Sequence, residues 1–232
     1  MNTEEKKKKL VTEEKHDFDS LRMLTEVLRG KGGCPWDIEQ THESIRNDII
    51  EETYEVVEAI DNADKKLLRE ELGDVMFQVM FHSRIEEEAG NFSVEDVIND
   101  VCEKMITRHP HVFGDVSVNN SDDVLNNWEQ IKKAEKDRKT VKESMQSVPK
   151  QLPALMRTRK IVKKAKKDLY DFNVTEDNIV SLAEKLKTSA GSEREKILTE
   201  IIFDAVVLAG DADSEKNLGD KTNEFVNNYK QG

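Results

Sequence analysis

Two short acidic motifs, EETYEVVEAI and EELGD, carry the residues most able to do chemistry in this chain. Residues three apart share a helix face, so Glu52 and Glu55 form one row, and Glu71 and Asp74 form another. A short turn between the motifs favours an antiparallel helix pair, in which the two rows can face each other. Four converging carboxylates offer hard oxygen ligands, which suit Mg²⁺ or Mn²⁺ better than zinc.

The alternative interpretation is a solvated acidic helix face. Such a face usually mixes Glu with Lys four residues apart, whereas residues 51–64 contain no Lys or Arg. A bound cation would offset the repulsion within these rows. Gly73 lies between Leu72 and Asp74, where a helical glycine costs about 1 kcal/mol relative to alanine. It is either a tolerated glycine or a point of close approach for a helix or ligand.

A di-iron carboxylate bundle is a rival class of metal site. It requires Glu-x-x-His on two helices. One such pair exists, Glu39 with His42, while His82 is preceded by Gln78 and Val79. The sequence therefore favours the oxygen-only site.

Three further residues are candidates for binding a phosphorylated ligand. Lys104 and Arg108 stand four apart on a predicted helix, where Arg can grip phosphate as a fork and Lys as a point charge. Without a metal site nearby, Lys104 and Arg108 would be interpreted as an ordinary pair of surface charges. Trp36 lies in the loop GKGGCPWD, where its ring can stack on a base or anchor the loop over the core.

The elements that must position these residues are all predicted to be helices, so the fold class is all-α. Apolar residues recur at spacings of three and four, and Ser93 is placed to cap a helix. The predicted helices span 17–29, about 41–62, 65–89, from 94 to near 108, about 123–139, 154–167, 176–188, 192–209 and 214–229. The predicted organisation is a disordered charged tail (1–16), a four-helix domain (17–116), a linker helix and loop (117–150) and a second helical half (151–232).

Composition and charge limit the location and the partners. No stretch approaches twenty apolar residues, and the N-terminal segment lacks an apolar signal core, so we expect no membrane span and a cytoplasmic protein. Residues 131–167 hold 14 basic and 3 acidic side chains. Because no aromatic residues are interleaved with these charges, we expect an exposed helix face rather than a nucleic-acid partner.

The segments GCPWDIEQTHESI, EETYEVVEAI, EELGDVMFQVMFHSRI and RHPHVFGDV together resemble the MazG family of nucleoside triphosphate pyrophosphohydrolases. The family's mark is EExxE followed after a spacer by ExxD, which stands here as Glu51-Glu52-x-x-Glu55 and Glu71-x-x-Asp74. The resemblance is continuous from about residue 18 to residue 116.

The resemblance implies a four-helix metal-binding fold that is usually a homodimer or a higher homo-oligomer. It implies hydrolysis of a nucleoside triphosphate to the monophosphate and pyrophosphate, with water attacking the α-phosphorus. By the motif, Glu52, Glu55, Glu71 and Asp74 would bind Mg²⁺, Glu51 would be the supporting carboxylate or catalytic base, and Lys104 and Arg108 would bind phosphates. The alternative is a non-catalytic nucleotide-binding or regulatory protein that keeps the metal cage.

The second half resembles a MazG half that has lost its acids. LPALMRTRKIVKKA resembles the start of such a half and NLGDKTNEFVNNY its final helix. However, Glu184 stands alone in the first row, and Ile197 and Glu200 occupy the place of ExxD. We therefore predict a degenerate helical domain without its own metal site, which serves dimerisation or packing.

Overall fold

The computed structural model describes residues 1–135, 140–167, 170 and 172–209, and every regular element within them is a helix. This confirms the all-α prediction. The helices are α1 (Thr3–Thr12), α2 (Phe18–Arg29), α3 (Pro35–Glu39), α4 (Asp48–Asp61), α5 (Lys65–Glu88), α6 (Val94–Arg108), α7 (Pro110–Phe113), α8 (Ser121–Glu135), α9 (Val141–Gln146), α10 (Ala154–Lys167), α11 (Glu176–Leu186) and α12 (Gly191–Ala209). The chain forms two compact units, Met1–Trp128 and Glu129–Gly232. In the described residues, no helix combines the length and the apolar character needed to span a membrane.

An antiparallel hairpin of α4 and α5 is the centre of the first unit. The connection between them is three residues long, and Ala63 within it has a positive φ of 54°. The side chain of Asp64 then caps α5 by accepting from the backbone N–H groups of Lys66 and Leu67 at 2.9 and 3.0 Å. Short connections of this kind force neighbouring helices to run antiparallel. The hairpin therefore brings the two acidic rows together.

Two further helices, α2 and α6, pack on α5 and complete the predicted four-helix unit. The carboxylate of Asp17 caps α2 by accepting from the Ser20 N–H at 2.9 Å. Ser93 caps α6 as predicted, and the Asp96 carboxylate in turn accepts a hydrogen bond from the Ser93 N–H at 2.8 Å. The core of this unit is made by buried side chains from the packed helices and the segment before α4: Val27, Ile45, Ala59, Met80, Phe81 and Val94.

The disordered tail predicted for residues 1–16 is wrong, because α1 occupies most of it. A capping box between Asn2 and Glu5 begins α1. An ion pair joins Lys6 to Glu26 of α2, and Glu13 accepts a hydrogen bond from the Ser20 hydroxyl at 2.8 Å. Charges in the segment predicted as a tail are thus paired within α1, as Lys7 is with Glu4, and with α2.

The first acidic helix begins at Asp48, seven residues later than predicted. Before it, residues 41–44 form turns in which the Ser44 hydroxyl accepts from the Thr41 N–H at 2.9 Å and donates to the Gln40 side chain at 2.7 Å. Ser and Thr side chains that bond nearby backbone groups compete with helix formation. The short helices α3 and α9 were predicted as loops, and the helix predicted over 214–229 lies outside the described residues.

Candidate metal centre

Three carboxylates of the α4–α5 hairpin converge on one point. Glu52 and Glu55 project from α4 and Glu71 from α5, and each offers one oxygen atom within 4.8 Å of the others. We call these three residues the carboxylate cluster. The two predicted rows therefore face each other and meet at these three acids, while metal binding by them stays a prediction.

The electrostatics of the cluster are those of several acids held close together. The pKa of Glu71 is raised to about 7, by burial first, then by a hydrogen bond with Glu55 and by repulsion from Glu55, Asp74 and Glu52. The pKa of Glu52 is also raised, by burial first and then by Asp74, Glu55 and Glu51. Glu71 is 7% exposed, so water screens this repulsion poorly.

The other two predicted acids lie beside the cluster. Asp74 is exposed and raises the pKa values of both Glu52 and Glu71, although its oxygens are not among the three that converge. Glu51 is also exposed and contributes to the raised pKa of Glu52. Both are therefore close enough to act on a group bound at the cluster.

The donor set fits a hard divalent cation. Among the described residues, the one group with metal-binding geometry contains carboxylates and no histidine or cysteine. Mg²⁺ and Mn²⁺ prefer such oxygen ligands. The di-iron alternative is not supported, because His42 forms its contacts with His82 and Glu86 instead.

The predicted substrate-binding residues lie on other elements of the first unit. Trp36 belongs to α3, and its side chain is 60% exposed, so its ring is free to meet a ligand rather than buried as a core anchor. Lys104 is exposed on α6, and Arg108 at the end of that helix is half-buried. The structure does not bring the Trp36 or Lys104 side chain into a hydrogen bond or ion pair with the cluster.

Sequence reasoning missed the aromatic residue that packs against Arg108. The guanidinium of Arg108 lies 5.4 Å from the ring centroid of Trp128, and the His109 ring meets the same indole edge-on at 5.0 Å. These contacts orient Arg108 by a cation–π interaction. A single Trp in the polar helix α8 was the available signal, but this helix was predicted only as part of a linker.

In the second unit, the positions that correspond to the missing acids behave as core and surface residues. Ile197 is buried, and Glu184 forms an exposed ion pair with Lys187 at 2.7 Å. Asp204 is buried, and burial together with Glu200 raises its pKa. Within the described part of this unit, these acids do not form a convergent group like the carboxylate cluster.

Comparison with known proteins finds a family match over the carboxylate cluster. A profile of the MazG nucleotide pyrophosphohydrolase domain matches residues 40–113, which include the whole cluster. The nucleoside triphosphate pyrophosphohydrolase/pyrophosphatase MazG of Thermotoga maritima is 39% identical over 220 residues, covering 92% of this chain and 84% of that protein.

Two other relatives are matched over shorter segments. The nucleoside triphosphate pyrophosphohydrolase of Escherichia coli K12 is 44% identical over 150 residues, or 64% of this chain and 57% of that protein. The uncharacterized protein YabN of Bacillus subtilis is 51% identical over 148 residues, which span 30% of its length. This chain therefore matches about half or less of the length of these two relatives. The chain matches most of the Thermotoga protein, and the domain match covers the carboxylate cluster. The chain therefore belongs to the MazG nucleotide pyrophosphohydrolase family.

Proposed function

We propose that this protein hydrolyses nucleoside triphosphates to the monophosphate and pyrophosphate, using Mg²⁺ held by Glu52, Glu55, Glu71 and Asp74. The observation that carries the proposal is the convergence of three carboxylates across the hairpin, with the pKa of Glu71 raised to about 7. The names of the Thermotoga and E. coli relatives state the same activity. Mn²⁺ has the same ligand preference and is expected to substitute.

The residues around the cluster supply the remaining parts of a hydrolysis. When bound, Mg²⁺ would screen the triphosphate and make a coordinated water more acidic. In this proposal Glu51, one residue before the cluster on α4, accepts the proton of the water that attacks the α-phosphorus. Lys104 and Arg108 supply positive charge for the phosphates, and the exposed Trp36 ring can stack on the base. Positioning and charge neutralisation suffice, because phosphoryl transfer needs no covalent intermediate with the protein.

The experiment is a pyrophosphate-release assay with a panel of nucleoside triphosphates, with and without Mg²⁺. Glu52→Gln and Asp74→Asn should abolish release. Glu58→Gln is the matched control, because Glu58 lies on α4, is exposed, and stands outside the motif. Full activity in either ligand variant would contradict the site. Nucleotide-dependent stabilisation without product would instead support a non-catalytic binding protein.

We also propose that the active form is a homodimer or a higher homo-oligomer. Four apolar side chains of the hairpin, Tyr54, Val57, Leu72 and Met76, are 46–52% exposed. No heavy atom from another part of the described chain lies within 4 Å of the position that a Cβ would take at Gly73. Exposed apolar side chains on both helices, two of them beside Gly73 on α5, suit packing of a second copy. Nucleotide substrates and two unpaired cysteines fit action in the cytoplasm.

Sedimentation analysis tests the oligomer directly. Met76→Asp should shift the protein toward monomer. Val11→Asp is the control, because Val11 is apolar and 85% exposed but lies on α1. A wild-type protein that sediments as a monomer at all concentrations would contradict this proposal.

A further inference from the structure

A histidine pair lies outside the carboxylate cluster and joins two distant parts of the first unit. His42, in the segment between α3 and α4, places its Nδ1 atom 2.7 Å from Nδ1 of His82 on α5. The Nε2 atom of His42 lies 2.5 Å from a carboxylate oxygen of Glu86, one turn further along α5. The other oxygen of Glu86 accepts from the Asn91 side chain at 2.6 Å. We call His42, His82 and Glu86 the histidine clasp.

The two imidazole rings meet edge to edge. Their planes differ by 7° and their centroids are 5.0 Å apart. This separation equals the distance between the two Nδ1 atoms plus the radii of the two rings, so both nitrogens lie on the line that joins the centroids. The contact is therefore an N–H···N hydrogen bond in the plane of the rings, which requires one protonated and one bare nitrogen.

Counting protons shows which charge states the clasp allows. With both rings neutral, His42 donates from Nε2 to Glu86, and His82 donates from Nδ1 to the bare Nδ1 of His42. With one added proton, His42 donates from both nitrogens, to Glu86 and to a bare Nδ1 on His82. A second added proton puts two N–H groups against each other, and the hydrogen bond is lost. The clasp therefore tolerates one added proton and breaks with the second.

The surrounding charges come from three elements. Glu86 lies on α5, Glu43 on the segment that carries His42, and Asp48 in the first turn of α4. Burial lowers the pKa of His82, and the neighbouring His42 lowers it further, while Asp48 acts in the opposite direction. Glu86 keeps its charge, because hydrogen bonds from Asn91 and His42 lower its pKa. His82 is therefore the ring that resists the second proton.

The clasp holds the segment of residues 35–47, which runs from α3, where Trp36 lies, to the start of α4. A second tie holds the same segment through Arg29, which donates to the backbone carbonyls of Asp37 and Gln40 at 2.6 and 3.0 Å and pairs with Glu88 at 2.9 Å. The Gln40 side chain in turn donates to the Trp36 carbonyl at 2.8 Å. Histidine is the side chain that ordinarily gains a proton between pH 5 and 8, so the histidine clasp is the tie that we expect to respond to acid.

We propose that His42 and His82 are positioning residues that form a proton-sensitive clasp, which holds the Trp36 segment on α5 until both rings are protonated. Opening of the clasp releases the residues between α3 and α4 and leaves the carboxylate cluster in place. The consequence for catalysis rests on the proposed function, in which Trp36 contacts the base. With Mg²⁺ held at a saturating concentration, acidification should then raise KM several-fold before kcat changes.

The clasp itself is tested by histidine NMR of the full-length wild-type protein, which needs neither activity nor a variant. Nitrogen-15 spectra should show a coupling between the Nδ1 atoms of His42 and His82 at neutral pH. On acidification, that coupling should disappear at the same midpoint at which the indole N–H resonance of Trp36 shifts. Two rings that titrate independently, or a Trp36 resonance that does not follow them, would overturn the proposal.

The catalytic consequence is tested with conservative variants. His82→Gln keeps a hydrogen-bonding side chain that cannot titrate, so it should retain KM at neutral pH and flatten its rise on acidification. His16→Gln, which removes an exposed histidine outside the clasp, should keep the wild-type profile. An unchanged pH profile of KM in His82→Gln would contradict the positioning role. Absence of any hydrolysis would refute the proposed function instead, and the NMR result would still decide the clasp.

Discussion

Binding of Mg²⁺ to the carboxylate cluster should displace a proton, and Glu71 is the residue that holds it. Burial and the neighbouring acids raise the pKa of Glu71 to about 7. A carboxylate must lose its proton before it can coordinate a metal. The apparent affinity for Mg²⁺ should therefore fall about tenfold for each pH unit below 7 and level off above it.

Calorimetry in buffers with different heats of ionisation counts this proton directly. Near pH 6, each Mg²⁺ bound should release about one proton or more, because the pKa of Glu52 is raised as well. Near pH 8, the release should approach zero. Glu71→Gln has nearly the same shape but no proton to lose, so it should bind Mg²⁺ more weakly and release fewer protons at pH 6. Binding at pH 6 without proton release, or equal release in Glu71→Gln, would refute the assignment of the proton to the cluster.

Three further outcomes concern stability. Folding raises the pKa of Glu71, so the folded metal-free protein holds the Glu71 proton more tightly than the unfolded chain does. The urea midpoint of the metal-free protein should therefore fall as the pH rises from about 4.5 to 7, and added Mg²⁺ should restore the midpoint. Arg29→Met, which breaks a pair whose arginine side chain is 7% exposed, should cost about 3–5 kcal/mol in the same assay, whereas Glu4→Ala in an exposed pair should cost less than about 1 kcal/mol. Met80→Ala should lower the free energy of unfolding by about 2–5 kcal/mol because Met80 is 2% exposed, whereas Val11→Ala, at an exposed site, should change it by no more than about 0.5 kcal/mol. Equal losses of stability in the two variants would contradict the described core.

The carboxylate cluster could be predicted because its geometry follows from local spacing. Glu52 and Glu55 share a face in any helix. Because the connection to the helix of Glu71 is short, the two helices must run antiparallel. Asp74 obeys the same spacing but is exposed at the margin of the cluster. Helix periodicity predicts the face on which a residue lies, whereas the final distances between carboxylate oxygens depend on side-chain rotamers.

The histidine clasp could not be predicted, because it depends on contacts between residues forty positions apart. The sequence signal at His42 also pointed elsewhere. Residues 41–47 have the composition of a helix start, and hydrogen bonds of Thr41 and Ser44 turned them into a separate segment. Local propensity does not tell which is more stable, such a turn or one more turn of helix, when both form hydrogen bonds with the same backbone groups.

The central claim is that this chain directs water to the α-phosphorus of a nucleoside triphosphate bound at the carboxylate cluster. Hydrolysis in water enriched in oxygen-18, followed by mass analysis of both products, tests that claim most directly. We predict that the label enters the nucleoside monophosphate, that pyrophosphate stays unlabelled, and that Glu52→Gln forms neither product. Label in pyrophosphate, or release of inorganic phosphate and a nucleoside diphosphate, would contradict it.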